Sequence, residues 1–336
     1  MSFPAVQSVV VRGALQNVSI GYRNPEFIAD MIYPTIDGLN LQTKVVKFAK
    51  WSWFNSGDDI FRSENSVAKR YDMQLSTQNL DPREIANGNV VSDELRRASA
   101  MPGNLPFNPE QSAVLNISDR LDRARELMVA NSIFGATWAD GTSGGSAPSG
   151  GAGAWALDTT GNSFIFDIEN AKTTVAKATG LLLNALWMDY QTMQILKTKA
   201  TATGGLVERM KYTNPLMTDE ALIAAVCGLK EVHVGKAIYT TEKETAAHSM
   251  SVPKWVWNQD NKGHCMVYYK SPTGPGLMTA FPGYQYRVAY DGGVYREIRS
   301  YREEAEKHWV YEASENVDVA PMCLDVACLF KTCISS

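Results

Sequence analysis

The chain has 336 residues, of which 45% are hydrophobic and 20% charged, and its formal net charge is −4. This length can form about two domains, and the composition is that of an ordinary globular protein. The pI near 5.7 argues against a broad basic face that binds nucleic acid. No run of roughly 18 apolar residues predicts a membrane span and no secretory signal is visible, so a cytoplasmic protein is expected.

Residues 1–36 are predicted to form an extended arm. The segment is polar with scattered aliphatic side chains and includes the phrase NPEFIADMIYP. It has too few apolar residues to fold alone. It is therefore expected to lie along the parent domain or along another subunit.

Residues 43–54 are predicted to be the first strand of a long hairpin. Their sequence, TKVVKFAKWSWF, alternates at period two and is rich in β-branched and aromatic residues, which is typical of a strand. A turn-rich stretch follows, and alternation resumes at residues 71–77 to give the second strand. Such a ribbon is only marginally stable alone in water, so it is expected to pack on a neighbour.

A long amphipathic helix is predicted at residues 108–134, and the rest of the chain is organised around it. Asn108 is the candidate N-cap, Pro109 occupies the first helical position and Gly135 marks the end. An apolar stripe at three- and four-residue spacing leaves the charged side chains to the other faces. The stripe consists of Val114, Ile117, Leu121, Ala124 and Met128.

Two stretches are expected to be largely irregular. Residues 79–109 are predicted to be a connection with one short helical piece at 91–101, followed by several prolines. Residues 134–155 contain seven glycines, so little of this stretch is expected to pack and it is predicted to be a mobile surface loop. It lacks the Lys-Ser/Thr ending of a phosphate-binding loop.

An α/β pattern begins near residue 167. Helices are predicted at 168–178, 190–198 and 218–227, with an apolar segment at 181–188 and a strand at 231–239. No glycine-rich dinucleotide fingerprint follows a strand in this region, so a nucleotide site is unsupported.

The last third is predicted to be mostly β structure. A strand is expected at 264–270, and residues 284–290 and 294–301 are predicted to form a hairpin around an Asp-Gly-Gly turn. The second strand of this hairpin is expected to continue to residue 318 as one long alternating run.

The two ribbons carry opposite charge. Six basic and three acidic residues lie between Leu41 and Arg70, whereas eight acidic and four basic residues lie between Asp291 and Asp318. Because their charges are opposite, the two ribbons are expected to contact each other between subunits. The candidate contact residues are Lys44, Lys47, Lys50, Trp51, Trp53, Arg62, Glu303 and Glu304. Reversing the charges of the three lysines together is expected to block assembly and leave the monomer folded.

No catalytic constellation is visible in the sequence. The four histidines lack an HExxH pattern or a carboxylate at helical spacing, so they are expected to be ordinary structural or surface residues. The five cysteines fit reduced thiols, and the three near the C-terminus are expected to be packed and apolar. A cysteine with a histidine could form a thiol hydrolase pair, but nothing local supports one. No catalytic residue, cofactor or metal site is therefore predicted.

An arm, a ribbon, a long helix and a final ribbon leave much surface that needs a partner. Extended elements that reach over neighbouring subunits convert many weak contacts into one closed assembly. The pattern therefore favours a self-assembling shell subunit.

The order of several phrases resembles the major capsid proteins of tailed bacteriophages with the Hong Kong 97-type fold. They are FIADMIYPTI with KVVKFAKWSWF, SDELRRASAM, LDRARELMVANSIF, ALWMDYQTMQIL, VERMKYT, TDEALIAAVCGLKEVHVGKAIYTTEKE, SPTGPGLMTAFPGYQYRV and GGVYREIRSYREE. Together they span nearly the whole chain. The glycine-rich stretch 141–153 departs from the pattern and looks like a local insertion.

The resemblance implies an α+β fold with named parts. These are an N-terminal arm at 1–36, an extended loop at 37–85, a peripheral domain at 86–160 and 276–317 built on the spine helix 108–134, and an axial domain at 161–275 and 318–336. It also implies self-assembly into hexamers and pentamers of an icosahedral shell around a double-stranded DNA genome.

The implied partners are other copies of the chain, a separate scaffolding protein, a portal and a possible decoration protein, with packaged DNA contacted weakly and without sequence specificity. The implied location is the virion, after assembly in the host cytoplasm. Two alternatives stay open, an encapsulin-like compartment shell and a soluble cysteine hydrolase. Covalent crosslinking between subunits has no visible basis in the sequence.

Overall fold

The computed structural model describes residues 27–38, 43–48, 54, 64–67, 75–99, 108–142, 144–155, 164–198, 219–241, 253–275, 279–290 and 293–334. The helices are α1 (Ala29–Ile32), α2 (Asp93–Ser99), α3 (Pro109–Gly135), α4 (Phe164–Thr179), α5 (Tyr190–Thr198) and α6 (Asp219–Val226). The strands before α5 are β1 (Thr35–Gly38), β2 (Thr43–Phe48), β3 (Leu75–Leu80), β4 (Arg83–Ser92) and β5 (Ala185–Asp189). Those after it are β6 (Glu231–Gly235), β7 (Ile238–Tyr239), β8 (Lys254–Trp255), β9 (His264–Tyr268), β10 (Gly283–Val288), β11 (Arg296–Glu303), β12 (His308–Pro321) and β13 (Ala327–Lys331).

The long helix α3, called the spine helix below, confirms the predicted bounds and cap. The Asn108 side chain accepts hydrogen bonds from the backbone N–H groups of Glu110 and Gln111, which lack partners inside the helix. The predicted apolar stripe is only partly right. Ile117 and Leu121 are buried, whereas the other three residues of the stripe are half-buried. Buried charged side chains of the helix, at Asp119, Arg125 and Glu126, were expected on its solvent faces.

A five-stranded sheet packs on the first half of the spine helix. The long strand β12 forms the centre of this sheet. β4 pairs antiparallel along one edge of β12, and β10 and β11 pair antiparallel along the other edge. β1 pairs in parallel with β10. Tyr311 and Ala313 of β12 join Val91, Ile117 and Leu121 in an apolar cluster between the sheet and the helix. Alternate residues of the strands therefore bury against one helix face.

Strand β4 corrects the prediction that residues 79–109 are irregular. Its ten residues pair with β12 from Arg83 opposite Val317 to Ser92 opposite His308. The sequence ANGN within the strand is unfavourable for β structure, because Gly and Asn are poor strand formers in isolation. Pairing along the length of β12 overrides that local preference. The short helix predicted at 91–101 is confirmed as Asp93–Ser99.

The predicted hairpin between residues 284–290 and 294–301 is wrong. β10 pairs with residues 316–321 of β12, and β11 pairs with residues 308–315, so the two strands lie end to end beside β12. The true hairpin joins β11 to β12 through a turn at 304–307, where Lys307 has a φ of 53°. The predicted continuous run to residue 318 missed this turn because it contains no Gly, Pro, Asn or Asp.

The glycine-rich stretch 134–155 packs on the C-terminal strand, so the expectation that little of it packs is wrong. Backbone hydrogen bonds join Ser146 to Leu329 and Lys331, and Trp155 to Cys333. A Cβ atom at Gly145 would approach the Leu329 carbonyl oxygen to 2.6 Å, and its φ is +89°. Glycine here therefore permits close backbone approach as well as a left-handed conformation.

A second, four-stranded sheet has the order β13-β9-β5-β6 and contains both parallel and antiparallel pairs. One face, with Leu186, Met188 and Val267, packs against α4, α5 and α6. The other face, with Trp187 and Met266, packs against the C-terminal half of the spine helix. The predicted helices at 168–178, 190–198 and 218–227 are confirmed within one to four residues.

The first predicted hairpin is confirmed where the structure describes it. β2 and β3 pair antiparallel from Thr43 opposite Leu80 to Phe48 opposite Leu75. The predicted strand residues 49–53 and 71–74 lie outside the described residues. None of the described helices combines the length and the apolar character needed to cross a bilayer.

Candidate interaction surfaces

Residues 27–38, which include the end of the predicted arm 1–36, are called the anchored segment below and are held on the body of the chain. Helix α1 contacts the spine helix, and β1 pairs in parallel with β10 from Thr35 opposite Gln285 to Gly38 opposite Val288. Ile28, Ala29, Ile32 and Tyr33 are buried in the cluster that also contains the C-terminal half of the spine helix. The expectation that the arm lies along something else is confirmed for this segment, and residues 1–26 lie outside the described residues.

Glu126 of the spine helix fixes the start of the anchored segment. Its fully buried carboxylate accepts hydrogen bonds from the backbone N–H groups of Ile28 and Ala29, both at 2.9 Å, and from Trp257 Nε1 at 2.6 Å. Burial raises the pKa of this carboxyl, although the three donors oppose that shift. A carboxylate at the first turn of α1 satisfies N–H groups that have no partner inside so short a helix.

Arg125, the neighbouring residue, ties the anchored segment to the five-stranded sheet. Its guanidinium pairs with Asp30 and donates to Gln285 Oε1 at 3.0 and 3.2 Å. Gln285 in turn donates from Nε2 to Asp30 Oδ1 and to the Tyr33 carbonyl oxygen, both at 2.8 Å. The cluster continues to Glu315, which is fully buried and lies 3.8 Å from Arg125 Nη1.

Three arginines from different elements surround the Glu315 carboxylate. Arg296 Nη2 lies 3.0 Å from its Oε2 atom, and Arg125 and Arg287 approach its Oε1 atom at 3.8 and 3.7 Å. A buried carboxylate needs such compensation because desolvating a charge is costly. The sequence pattern does not predict this cluster, because Arg125 lies 160 or more residues from Gln285 and Glu315 and the other members sit among apparently solvated charges. The one available signal was an i, i+1 pair of charges, Arg125 and Glu126, near the apolar end of a helix.

The hairpin β2–β3 presents two different faces. Lys44 and Val46 are exposed on one face, beside Thr77 and Leu75 of the partner strand. Val45 and Lys47 are half-buried on the other face, where Val45 packs beside Leu80 and Tyr286. Burial lowers the pKa of Lys47, which lies near Cys323. The two candidate contact residues Lys44 and Lys47 therefore lie on opposite faces of the hairpin. Lys50, Trp51, Trp53 and Arg62 lie outside the described residues.

The acidic candidates Glu303 and Glu304 lie at the turn between β11 and β12, and both are paired within the chain. Glu303 Oε2 lies 2.9 Å from His308 Nε2, and Glu304 Oε1 lies 3.1 Å from Arg302 Nη1. Glu306 Oε2 lies 3.4 Å from the other ring nitrogen of His308. Among the described residues, this trio of Glu303, Glu306 and His308 is the group arranged to hold a metal ion. From the sequence alone, His308 is expected to be an ordinary structural or surface residue.

The buried thiols are poor nucleophiles. Cys227, Cys265, Cys328 and Cys333 are buried and Cys323 is half-buried, and all five are free. Burial raises the pKa of Cys227 and of Cys328 to about 12, and that of Cys265 well above its usual value. Since the thiolate is the nucleophile, these side chains act as small apolar groups. The prediction of packed thiols near the C-terminus is confirmed for Cys328 and Cys333.

Comparison with known proteins associates this fold with capsids. No protein family model matches the sequence. The chain is 23% identical over 239 residues to the major capsid protein of Burkholderia phage BcepMu, a match that covers 70% of this chain and 72% of the relative.

Solved structures match along nearly the whole chain. A phage-related protein from Bordetella bronchiseptica RB50 aligns with a TM-score of 0.66 and 19% identity over 94% of this chain and 95% of that one. The capsid of cyanophage P-SCSP1u aligns with a TM-score of 0.57 and 10% identity over 94% and 90% of the two chains. These likenesses identify the α+β capsid fold of the Hong Kong 97 type.

Proposed function

We propose that this chain, which has the Hong Kong 97-type capsid fold, is the major capsid protein of a tailed bacteriophage. Copies of it form the hexamers and pentamers of an icosahedral shell that encloses a double-stranded DNA genome. The observation that carries the proposal is the sequence similarity to a phage major capsid protein over 70% of the chain, together with the capsid fold over 94% of it.

The parts of the fold correspond to distinct roles in such a shell. We assign residues 1–36 to the arm, 37–85 to the extended loop, 86–160 with 276–317 to the peripheral domain, and 161–275 with 318–336 to the axial domain. The buried cluster of Arg125, Glu126, Gln285 and Glu315 supports a rigid junction of arm, spine helix and peripheral sheet. A rigid junction suits a subunit that transmits contacts across a closed assembly.

The exposed face of the β2–β3 hairpin is the proposed contact with a neighbouring subunit. Val46 and Leu75 are 48% and 56% exposed, and Lys44 stands beside them on the same face. Apolar side chains on a two-stranded ribbon are costly to leave in water, and a second copy of the chain would cover them. The opposite face already packs on the chain's own apolar cluster through Val45.

Contacts with other components follow from the same assignment. The shell assembles in the host cytoplasm with a separate scaffolding protein and a portal, and accepts a decoration protein if the phage has one. Packaged DNA touches the shell weakly and without sequence specificity. The net charge of −4 supports this weak contact, because affinity for DNA grows with the number of neutralised phosphates.

Electron microscopy of the purified full-length chain tests the proposed function. We expect rings or closed shells, either from the protein alone, from virion extracts or after co-expression with a scaffold. Light scattering that reports only compact monomers under all of these conditions would contradict the proposal. A shell that contains a cargo protein and no nuclease-protected DNA would instead favour the encapsulin-like compartment.

A further inference from the structure

The turn between β11 and β12 brings one histidine and two glutamates together. His308 begins β12 and lies directly opposite Glu303, the last residue of β11, in the antiparallel register. Glu306 belongs to the turn itself. His308 is 9% exposed, whereas the side chains of Glu303 and Glu306 are 44% and 71% exposed, so a buried ring meets two solvent-reachable carboxylates.

Both nitrogens of the His308 ring face a carboxylate. Nε2 lies 2.9 Å from Glu303 Oε2, and Nδ1 lies 3.4 Å from Glu306 Oε2. An ionised carboxylate only accepts hydrogen bonds, and a neutral imidazole carries one N–H. With a neutral ring, one of the two contacts would therefore set a nitrogen lone pair against a carboxylate oxygen. A proton or a metal ion on the ring would remove this unfavourable contact.

The charge balance of the cluster favours a divalent cation over a proton. Two carboxylates and a neutral imidazole carry a charge of −2, so a bound proton leaves −1 and a divalent ion leaves none. Within the described residues neither Glu303 nor Glu306 pairs with a lysine or arginine, since nearby Arg302 pairs with Asp93 and Glu304. The cluster therefore keeps its negative charge unless an ion enters.

We propose that His308, Glu303 and Glu306 bind a divalent transition-metal ion such as Zn²⁺ at the tip of this ribbon. One ring nitrogen and one oxygen of each carboxylate already lie within 4.8 Å of one another. Imidazole nitrogen and carboxylate oxygen are ligands that Zn²⁺ accepts in fourfold coordination, which leaves one position for water. The ion joins β11 to β12 across their turn and stiffens the ribbon tip. This inference stands independently of the proposed function.

Cobalt and zinc titrations of the untagged, chelator-treated full-length chain test the site. We expect binding of one ion per chain by calorimetry, a Co²⁺ absorption signal, and a rise in melting temperature with Zn²⁺. Glu306→Gln replaces an exposed side chain and is expected to leave the chain folded while weakening binding about tenfold or more. His308→Ala is expected to abolish binding. The matched control is His233→Ala, because His233 faces a single carboxylate, Glu231, at 3.3 Å.

The outcomes separate the metal site from a simple ion pair. Loss of binding in Glu306→Gln and His308→Ala with full binding in His233→Ala supports the proposal. No saturable binding by the wild-type chain, or equal binding by the wild type and His308→Ala, overturns it and leaves His308 as an imidazolium paired with two carboxylates. These readouts use the unassembled chain, so they do not depend on shell formation.

Discussion

At the residue scale, Glu126 is the side chain that decides where the arm attaches. Its carboxylate has two oxygens for three donors, and all of these groups are buried. A buried donor that loses its acceptor costs more than the hydrogen bond contributed, because water cannot replace the acceptor. The anchored segment therefore depends on one side chain that the sequence pattern assigned to solvent.

We predict that Glu126→Gln destabilises the subunit by about 1–3 kcal/mol, since the amide keeps one acceptor and directs an NH₂ group at donors. Chemical denaturation measures the loss, and hydrogen exchange should show faster exchange at the amides of Ile28 and Ala29. Glu110→Gln is the control, because its ion pair with Arg96 is partly exposed and should change stability by no more than about 1 kcal/mol. Unchanged exchange at both amides would argue against the anchoring role.

The buried thiols lead to a second prediction at this scale. At a pKa of about 12, roughly one thiol in 10⁴ is ionised at pH 8, so Cys227 and Cys328 should resist iodoacetamide in the native chain. Half-buried Cys323 should react first, and all five should react in denaturant. Mass spectrometry of the digested protein resolves the sites. Rapid native labelling of Cys227 or Cys265 coupled to loss of a hydrolytic turnover would favour the cysteine hydrolase alternative.

At the scale of elements, one face of the β2–β3 hairpin packs on the chain's own core and the other face is exposed. Lys47 and Val45 face the chain's own core, so reversing the charge of Lys47 would disturb the monomer as well as any interface. Reversing the charges of Lys44, Lys47 and Lys50 together would therefore disturb both the fold of the subunit and any interface. A variant that changes only the exposed face of the hairpin separates an effect on assembly from an effect on folding.

We predict that Lys44→Glu combined with Val46→Asp blocks assembly and leaves the subunit folded. Single surface ion pairs contribute about 0–1 kcal/mol, so Lys44→Glu alone should have little effect, whereas placing two charges on the apolar face should prevent docking. Sedimentation and electron microscopy report assembly, and circular dichroism reports folding. Lys262→Glu is the matched charge reversal at an exposed position outside the hairpin. Normal shells from the double variant would remove this face from the interface.

At the scale of the whole molecule, the net charge bears on the proposed weak contact between the subunit and DNA. A lining with many basic groups would bind phosphates through a salt-dependent term that grows with each contact and would hinder packing and release of the genome. The chain carries 32 basic and 36 acidic residues. Several arginines in the described part, such as Arg125, Arg287 and Arg296, are also occupied by carboxylates.

We predict that the isolated subunit binds duplex DNA with a Kd on the order of 10⁻⁴ M or weaker at physiological salt. A gel-shift titration measures the affinity, and repeating it at low salt should tighten binding, as expected for counterion release. Micromolar or tighter binding at physiological salt would contradict this prediction and favour a protein that organises the genome directly.

Local patterns in the sequence determined the elements whose signals are contiguous. The spine helix was predictable from Asn108, Pro109 and the apolar spacing, and the first hairpin from its alternation, because caps and periodicity act over a few neighbouring residues. The phrase order also pointed to the capsid fold, which the comparisons support. The exposed candidates Lys44, Glu303 and Glu304 could be named from charge alone.

Only the tertiary structure decided which strands pair and which charges are buried. The sequence pattern predicts an irregular connection at β4, whereas in the structure β4 pairs with ten residues of β12. The pattern also predicts a hairpin of β10 and β11, whereas both strands pair with β12. The helical pattern places Glu126 on a solvent face, whereas in the structure its carboxylate is buried and accepts hydrogen bonds from the anchored segment and from Trp257. The physical reason is the same in each case: strand pairing and charge burial are set by tertiary contacts of the folded chain, and these contacts leave no periodic trace in the local sequence.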